Sequence, residues 1–443
     1  MTKDKESIGG DCLNWGCVPS KALLHAAKSV ETARKNPYLK NQADIEVDPE
    51  KVFAHIKNSI NTIKSHENYD YFTESRGWDI AIGTASFVGK NSLKINNEIY
   101  KAGKIILATG SVPLIPDIKG AEKVAIHTNE TIFSLNKIPP KLLVIGGGPI
   151  GLELGQALAM LGSKVTIVDR GDKFMAREDP EIAEVLENKF KKLGIKFYPQ
   201  SEVRQFSSSN TALIKTADKE ESLDFDVVLV ATGRRLDYTE LNLEKANIKL
   251  SDKGLIKKDD YLRTTNHKVL VAGDASGPPF FTHATELHAR VILNNFFKPR
   301  LLWQKLNYDK FSWVTFTSPE VAGFGQTEKS LRDKNIKYRT ISKKFAENDR
   351  MITEGETNGL AKIFVSRKGY VLGGSVVGRG AGELIQELVL LMETKHPLST
   401  LIKKTYAYPV ANRLNKELAF AEKSEALTKK ATKILRFLFK IFS

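Results

Sequence analysis

Cysteine is nearly absent from this chain: 443 residues contain only Cys12 and Cys17. That rules out a disulfide framework. A structural zinc is no better served, because the eight histidines are scattered and no second cysteine pair exists to complete four ligands. Long apolar runs are missing too. No stretch approaches the roughly 20 residues needed to span a bilayer, and Met1-Thr-Lys-Asp-Lys-Glu-Ser lacks the apolar core of a secretory leader, so a cytoplasmic, reducing location is expected. Acidic residues are in deficit: 67 Lys and Arg against 52 Asp and Glu leave a net charge of +15. The excess is spread along most of the chain without a zinc-finger, RRM or helix-turn-helix signature, and no nucleic-acid partner is expected. With 41% hydrophobic and 27% charged residues, the composition is that of a globular protein of two or three domains.

What the chain does have is concentrated in Gly9-Gly10-Asp11-Cys12-Leu13-Asn14-Trp15-Gly16-Cys17-Val18-Pro19-Ser20-Lys21. On a regular helix, positions 12 and 17 would point about 140° apart, too far to bond. The backbone must bend here, and Gly16 permits it. Pro19 suits the first turn of a helix that continues on Leu23, Ala26, Ala27 and Val30. Cys17 is thereby expected at a helix N-terminus, where partial positive charge favours a thiolate. The competing reading is a pair of thiols packed as small hydrophobes. A structural disulfide closing so short a loop would add little to a chain this long.

GGDCLNWGCVPSKAL resembles the redox-active segment of the FAD-dependent pyridine nucleotide-disulfide oxidoreductases, the family of dihydrolipoamide dehydrogenase, glutathione reductase and mercuric reductase. The resemblance implies a redox disulfide, with Cys12 the thiol that exchanges with substrate and Cys17 the flavin-side thiolate. It also implies an ion pair of Lys21 with Glu153 beside the flavin; otherwise these are helix-surface charges.

Further along, Asp48-Pro49-Glu50 predicts a helix start with Val52, Ile56, Ile60 and Ile63 on one face. Short strands near 79–97 lead to a buried run, Ile105-Ile106-Leu107-Ala108-Thr109-Gly110, whose small residues would let backbone approach a dinucleotide. The strongest cofactor signal is central. The strand Leu142–Ile145 runs into Gly146-Gly147-Gly148-Pro149-Ile150-Gly151 and a helix carrying Leu154, Leu158 and Leu161. The strand Lys164–Val168 follows and ends at Asp169. Strand, glycines, helix and acid in that order mark a dinucleotide turn, with pyrophosphate at the helix N-terminus and Asp169 on a ribose. Asp169 favours NAD, Arg170 leaves NADP admissible, and the plainer reading of Asp169 is a surface acid at a strand end. A helix from Asp179-Pro180-Glu181 ends at Gly194, and Val227–Val230 then runs into a second Ala-Thr-Gly at 231–233, so two dinucleotide folds are expected. Val269-Leu270-Val271-Ala272-Gly273-Asp274 is similar to the family's second FAD segment, with Asp274 on the ribityl chain or merely satisfying a turn.

The family implies FAD contacts at Gly10, Asp11, Lys21, Ala85, Gly110, Asp274 and Thr282, and NAD contacts at Gly146, Gly147, Gly148, Gly151, Asp169, Val203 and Gly233. The expected fold is α/β: two Rossmann-like dinucleotide-binding domains, the FAD one lacking its first strand, plus a C-terminal α+β dimerisation domain. The expected boundaries are 1–137 and 263–308 for the FAD parts, 138–262 for NAD(P), 309–425 for dimerisation and 426–443 for a basic amphipathic tail. In that tail Lys429, Lys430, Lys433, Arg436 and Lys440 alternate with Ile434, Leu435, Phe437, Leu438, Ile441 and Phe442. This pattern fits either a peripheral contact with a membrane surface or a helix docked on its own protein or a dimer mate.

Two departures from the family stand out. Its members begin with an FAD strand and a GxGxxG that this sequence does not contain, so the sequence is expected to be part of a longer one, with the pyrophosphate cradle outside it. Where the disulfide reductases carry an acid-base histidine and its orienting glutamate, this chain has Tyr408 and Arg413. A phenol is a poor general base at neutral pH. Tyrosine near this place resembles the mercuric reductase branch, yet that branch's C-terminal cysteine pair is missing. The expected protein is a homodimeric flavoprotein oxidoreductase carrying electrons from NAD(P)H through FAD to Cys12 and Cys17 and on to a small-molecule acceptor. The contrasting expectation is a non-catalytic dinucleotide-binding module, associated with a membrane surface.

Overall fold

The structure, a computed structural model, describes residues 4–41, 45–426 and 429–442. Met1-Thr-Lys and tail positions 427, 428 and 443 lie outside the described residues. Two compact units emerge: the chain up to Gly171 together with Gly194–Asn307, and Asp172–Leu193 together with the chain from Tyr308 onward.

In the first unit, the strand Lys141–Ile145 is the centre of a five-stranded all-parallel sheet. It pairs with Lys164–Val168 on one side, Leu142 opposite Val165, and with Val227–Val230 on the other, Leu142 opposite Val227. Ile126–His127 and Lys196–Tyr198 form the edges. A strand flanked on both sides and both faces reads as a continuous apolar run, and Leu143, Val144, Ile167, Val228 and Leu229 are at most 1% exposed. Each such side chain contributes about 1.5–3 kcal/mol by leaving water. Helix Pro149–Met160 crosses from the first strand to the next, with proline in its first turn where no amide donor is needed. Helix Pro49–Lys64 starts the same way, Asp48 accepting from the Lys51 amide at 3.2 Å.

Two three-stranded antiparallel sheets, at 85–101 and 202–224, accompany this core. The strands Ile105–Leu107 and Val269–Val271 pair in parallel as a two-stranded sheet. The expected buried run at 105–107 is buried on one face only. Ile105 and Leu107 are inside, but Ile106 is 45% exposed, because the outer face of this narrow sheet is uncovered among the described residues.

The second unit is built on a five-stranded antiparallel sheet, in the order 312–315, 320–325, 371–378, 360–365 and 339–344. Helix Ala381–Thr394 covers one face with Leu384, Ile385, Leu388 and Leu391. The edge strand Arg339–Lys344 escapes the sequence reading, since its lysines and arginine break the apolar pattern while keeping the edge from pairing with other chains. Helix Pro180–Lys192 belongs to this unit. Lys362, on an inner strand with its side chain only 8% exposed, is met by Asp179 at 3.2 Å, Glu181 at 3.3 Å and Glu328 at 3.0 Å. The indole of Trp313 donates to Glu178 at 2.9 Å.

Candidate functional site: a dithiol beside a dinucleotide turn

The expected bend in the cysteine segment is present. A short helix, Gly10–Asn14, stops at Trp15, and a new helix, Cys17–Arg34, begins after Gly16. Gly16 is required by space as well as by angle: a Cβ there would sit 2.9 Å from the Asp11 carbonyl oxygen and 3.0 Å from Asp11 Oδ2. The break turns Cys12 back toward Cys17, and the two thiols hydrogen-bond to each other. Thr282, the first residue of helix Thr282–Phe296, places Oγ1 3.5 Å from Cys17 Sγ.

These contacts separate the two thiols electrostatically. The hydrogen bond from Cys12, followed by Thr282 and the Lys21 charge, outweighs partial desolvation and brings the Cys17 thiol down to about 6. Cys12 is pushed up by donating that bond and by burial. The sequence points to the helix N-terminus as the source of acidity at Cys17. Cys17 does open a helix, but the first cause is its partner thiol.

One turn on, Lys21 Nζ lies 2.8 Å from Glu153 Oε2, with Lys21 35% and Glu153 7% exposed in their side chains. Glu153 belongs to the helix that follows the glycine turn. The helix that starts at Cys17 and the helix that follows the glycine turn are thus joined by an ion pair.

Sequence reasoning missed a polar network on the other side of the cysteine segment. Arg234, 9% exposed, lies 3.3 Å from Asp11 Oδ1 and 3.6 Å from Asp274 Oδ2. It also donates to the Ser111 carbonyl at 2.9 Å and hydroxyl at 2.6 Å, and Ser111 in turn donates to Asp274 Oδ2 at 2.5 Å. Asn129 donates to Asp11 at 3.1 Å and to the Trp15 carbonyl at 3.2 Å. One buried guanidinium therefore holds the acid of the redox segment and Asp274, in the turn that follows the strand Val269–Val271. The pair Arg234-Arg235 directly after a buried strand is the sequence signal for it, since few arginines follow an apolar run without a partner inside.

The glycine turn fits a dinucleotide. A side chain at Gly147 would come within 2.5 Å of Asp169 Oδ2, and one at Gly151 would strike the Gly146 carbonyl oxygen. Gly148 faces open space, with no atom within 4 Å of where a Cβ would be, just before the N-terminus of helix Pro149–Met160. Backbone amides, the helix dipole and the Asp169 carboxylate converge where pyrophosphate and ribose would lie. Asp169 also accepts from the Gly171 amide at 3.2 Å. For FAD, the fit rests on Asp274, fixed by Ser111 and Arg234 with oxygens suited to hydroxyl donors. Of the remaining expected contacts, Gly10 opens the short helix, Ala85 opens an antiparallel hairpin, and Gly110 and Gly233 follow their strands with positive φ. Val203 is buried with its side chain in the sheet core. Tyr408 belongs to the second unit. It is 68% exposed, with the Arg413 guanidinium 5.3 Å from its ring centroid.

A dithiol at a helix start, bridged by an ion pair to a dinucleotide turn, defines the class: a nucleotide-dependent thiol oxidoreductase fold. Comparison with known proteins gives the family. The profile described as pyridine nucleotide-disulphide oxidoreductase matches residues 5–287, and its dimerisation-domain profile matches residues 311–419. The chain belongs to this family of FAD-dependent oxidoreductases. It is 31% identical over 397 residues to the mercuric reductase of Bacillus cereus, covering 88% of this chain and 62% of that protein. It is 29% identical over 427 residues to the dihydrolipoyl dehydrogenase of Bacillus subtilis, covering 94% of this chain and 89% of that one. A copper(II) complex of the HOCl-induced flavoprotein disulfide reductase RclA of Escherichia coli superposes with a TM-score of 0.83 at 23% identity, covering 94% of this chain and 92% of that one, and shows the same fold. The expected α/β class with dinucleotide domains and a C-terminal dimerisation domain is therefore correct. No helix among the described residues is long and apolar enough to cross a membrane.

Proposed function

We propose that this protein is a homodimeric NADH-dependent oxidoreductase in which Cys12 and Cys17 cycle between disulfide and dithiol, passing electrons to a small-molecule acceptor in the cytoplasm. The observation that carries this reading is the pairing of the two thiols across the helix break, with Cys17 held acidic by Cys12, Thr282 and Lys21. The domain plan assigns 1–137 and 263–308 to FAD, 138–262 to the nicotinamide nucleotide and 309–425 to dimerisation. FAD, held by Asp274 and the residues around Asp11, Gly110 and Thr282, would supply the two-electron relay between nucleotide and disulfide.

The chain's own residues bind, orient and move protons. Gly146 to Gly151 and Asp169 bind the nucleotide, while Arg234 and Asn129 fix Asp11 and with it the cysteine segment. In the reduced pair Cys17 is the thiolate and Cys12 keeps the proton. Cys12 can then attack an acceptor only after losing that proton to solvent or to a base. The balanced half-reaction is NADH plus disulfide plus one proton giving NAD⁺ plus the dithiol, with one thiol ionised above the range of Cys17.

The test counts thiols. Protein oxidised to the disulfide, supplied with FAD under anaerobic conditions, should gain two reagent-accessible thiols per chain on adding NADH, and Cys12→Ser or Cys17→Ser should gain none. If NADH binds but the thiol count stays fixed, the protein is a binding module and the proposal is wrong.

A further inference from the structure

The helix Lys429–Phe442 takes no part in the dithiol chemistry, yet its pattern is the most polarised in the chain. From Thr432 to Phe442 every side chain is exposed, and the large apolar ones range from 41% at Leu438 to 84% at Phe442. At 100° per residue, Ile434, Leu435, Leu438, Ile441 and Phe442 fall within an arc of about 120°, and Phe437 and Phe439 extend it on both sides to about 200°. Lys433, Arg436 and Lys440 lie within about 60° on the opposite side. Over 429–442 the sequence has five basic residues and no acidic one.

An apolar surface of this size left in water is costly and marks a contact. Its shape and charge choose the occupant. A two-helix seam buries a narrow strip, about two residues in seven, and would leave both border phenylalanines in water. A helix lying in the plane of a bilayer buries the whole arc, keeps phenylalanine at the level of the headgroups and turns Lys433, Arg436 and Lys440 up to the phosphates. A strip with no acid among its cations is complementary to anionic headgroups. We infer that Lys429–Phe442 is an in-plane anchor that binds anionic lipid bilayers, making this protein a peripheral membrane protein. This inference is independent of the thiol chemistry proposed above.

Flotation of the full-length chain tests it. The probes are vesicles of phosphatidylcholine alone and of equal parts phosphatidylcholine and phosphatidylglycerol. The wild-type chain should float with the mixed vesicles and partition at least about 10-fold less onto phosphatidylcholine, with partial release at high salt. Ile434→Glu with Leu438→Glu should abolish flotation, and Lys433→Glu with Lys440→Glu should reduce it to the phosphatidylcholine level. Both pairs lie on an exposed terminal helix, and unchanged thermal unfolding will show that the rest of the fold is intact. Equal binding to both vesicle types, or flotation that survives Ile434→Glu with Leu438→Glu, overturns the inference. So does failure of the wild type to float while the same double substitution lowers the oligomeric state, which would assign the face to a second copy of the chain.

Discussion

Lys21 Nζ and Glu153 Oε2 stand 2.8 Å apart and join the helix that starts at Cys17 to the helix that starts after the glycine turn. The two charges act on Cys17 with opposite sign: Lys21 lowers the thiol and Glu153 raises it. Lys21→Met should therefore move the Cys17 titration up, and Glu153→Gln should move it down. Lys21→Met should also cost about 1–3 kcal/mol in urea unfolding, because the Glu153 carboxylate stays buried without its ammonium partner. Shifts of the same direction in both variants would show that the pair does not act on the thiol electrostatically.

The thiols of the reduced chain should titrate separately. Ultraviolet thiolate absorbance is expected to rise through about pH 6 as Cys17 ionises, with Cys12 following only in strongly alkaline solution. Cys17→Ser should remove the first step. In Cys12→Ala, which has no donor to offer, the leading cause of acidity is gone, and the remaining step should move up. A first step that stays near its original pH in Cys12→Ala contradicts the hydrogen bond between the two sulfurs.

Glu178 gives a pH dependence of the opposite kind. Burial raises this carboxyl above its ordinary range, more than the hydrogen bonds from Trp313 and Ser375 lower it. A raised acid binds its proton more tightly in the folded state, so its stabilisation is full at low pH and fades as pH rises through the folded value. Glu178→Gln keeps the shape and cannot ionise. Its urea midpoint should be flatter with pH than that of the wild type, and the two should diverge as the solution becomes more alkaline. Parallel curves would mean that Glu178 stays charged.

Asp169 is expected to choose the nucleotide. Its carboxylate stands beside Gly147 at the end of its strand, where a ribose hydroxyl can donate to it and a 2'-phosphate would be repelled. Binding titrations should give a lower Kd for NADH than for NADPH, by about 10-fold or more. Asp169→Ala should bring the two together, chiefly by weakening NADH. Tighter binding of NADPH by the wild type would shift the specificity role to Arg170.

Local physics made much of this legible in advance. The parallel core announced itself because residues 142–145 and 228–230 are buried and carry no polar residue. The bend at Gly16 followed from the impossibility of joining positions 12 and 17 on one helix. What stayed hidden depends on partners distant in sequence. Arg234 meets Asp11 across 223 positions, and nothing near either residue encodes that meeting. The strand Arg339–Lys344 was hidden because an edge needs no continuous apolar run. Ile106 misled because an apolar side chain in a strand does not say whether a neighbour covers it.

The last prediction concerns the acceptor. By the family resemblance, Tyr408 and Arg413 are expected where disulfide reductases carry an acid-base histidine and its glutamate; in the structure the Arg413 guanidinium lies over the solvent-exposed Tyr408 ring. Exchange between Cys12 and a small disulfide needs a base to take the Cys12 proton and an acid to protonate the leaving thiol. The loss of such a group costs about 10²- to 10⁴-fold in rate. With NADH as donor, this protein should therefore reduce glutathione disulfide and lipoamide slowly. Hg²⁺ should be a weak substrate of this chain as well, because the two cysteines in its sequence are both committed to the proposed redox pair. Quinones, oxygen and artificial dyes need no proton from that position and should turn over faster. Tyr408→His with Arg413→Glu should raise lipoamide reduction and leave dye reduction unchanged. Rapid reduction of a small disulfide by the wild-type chain at neutral pH would refute this and point to a different proton carrier beside Cys12.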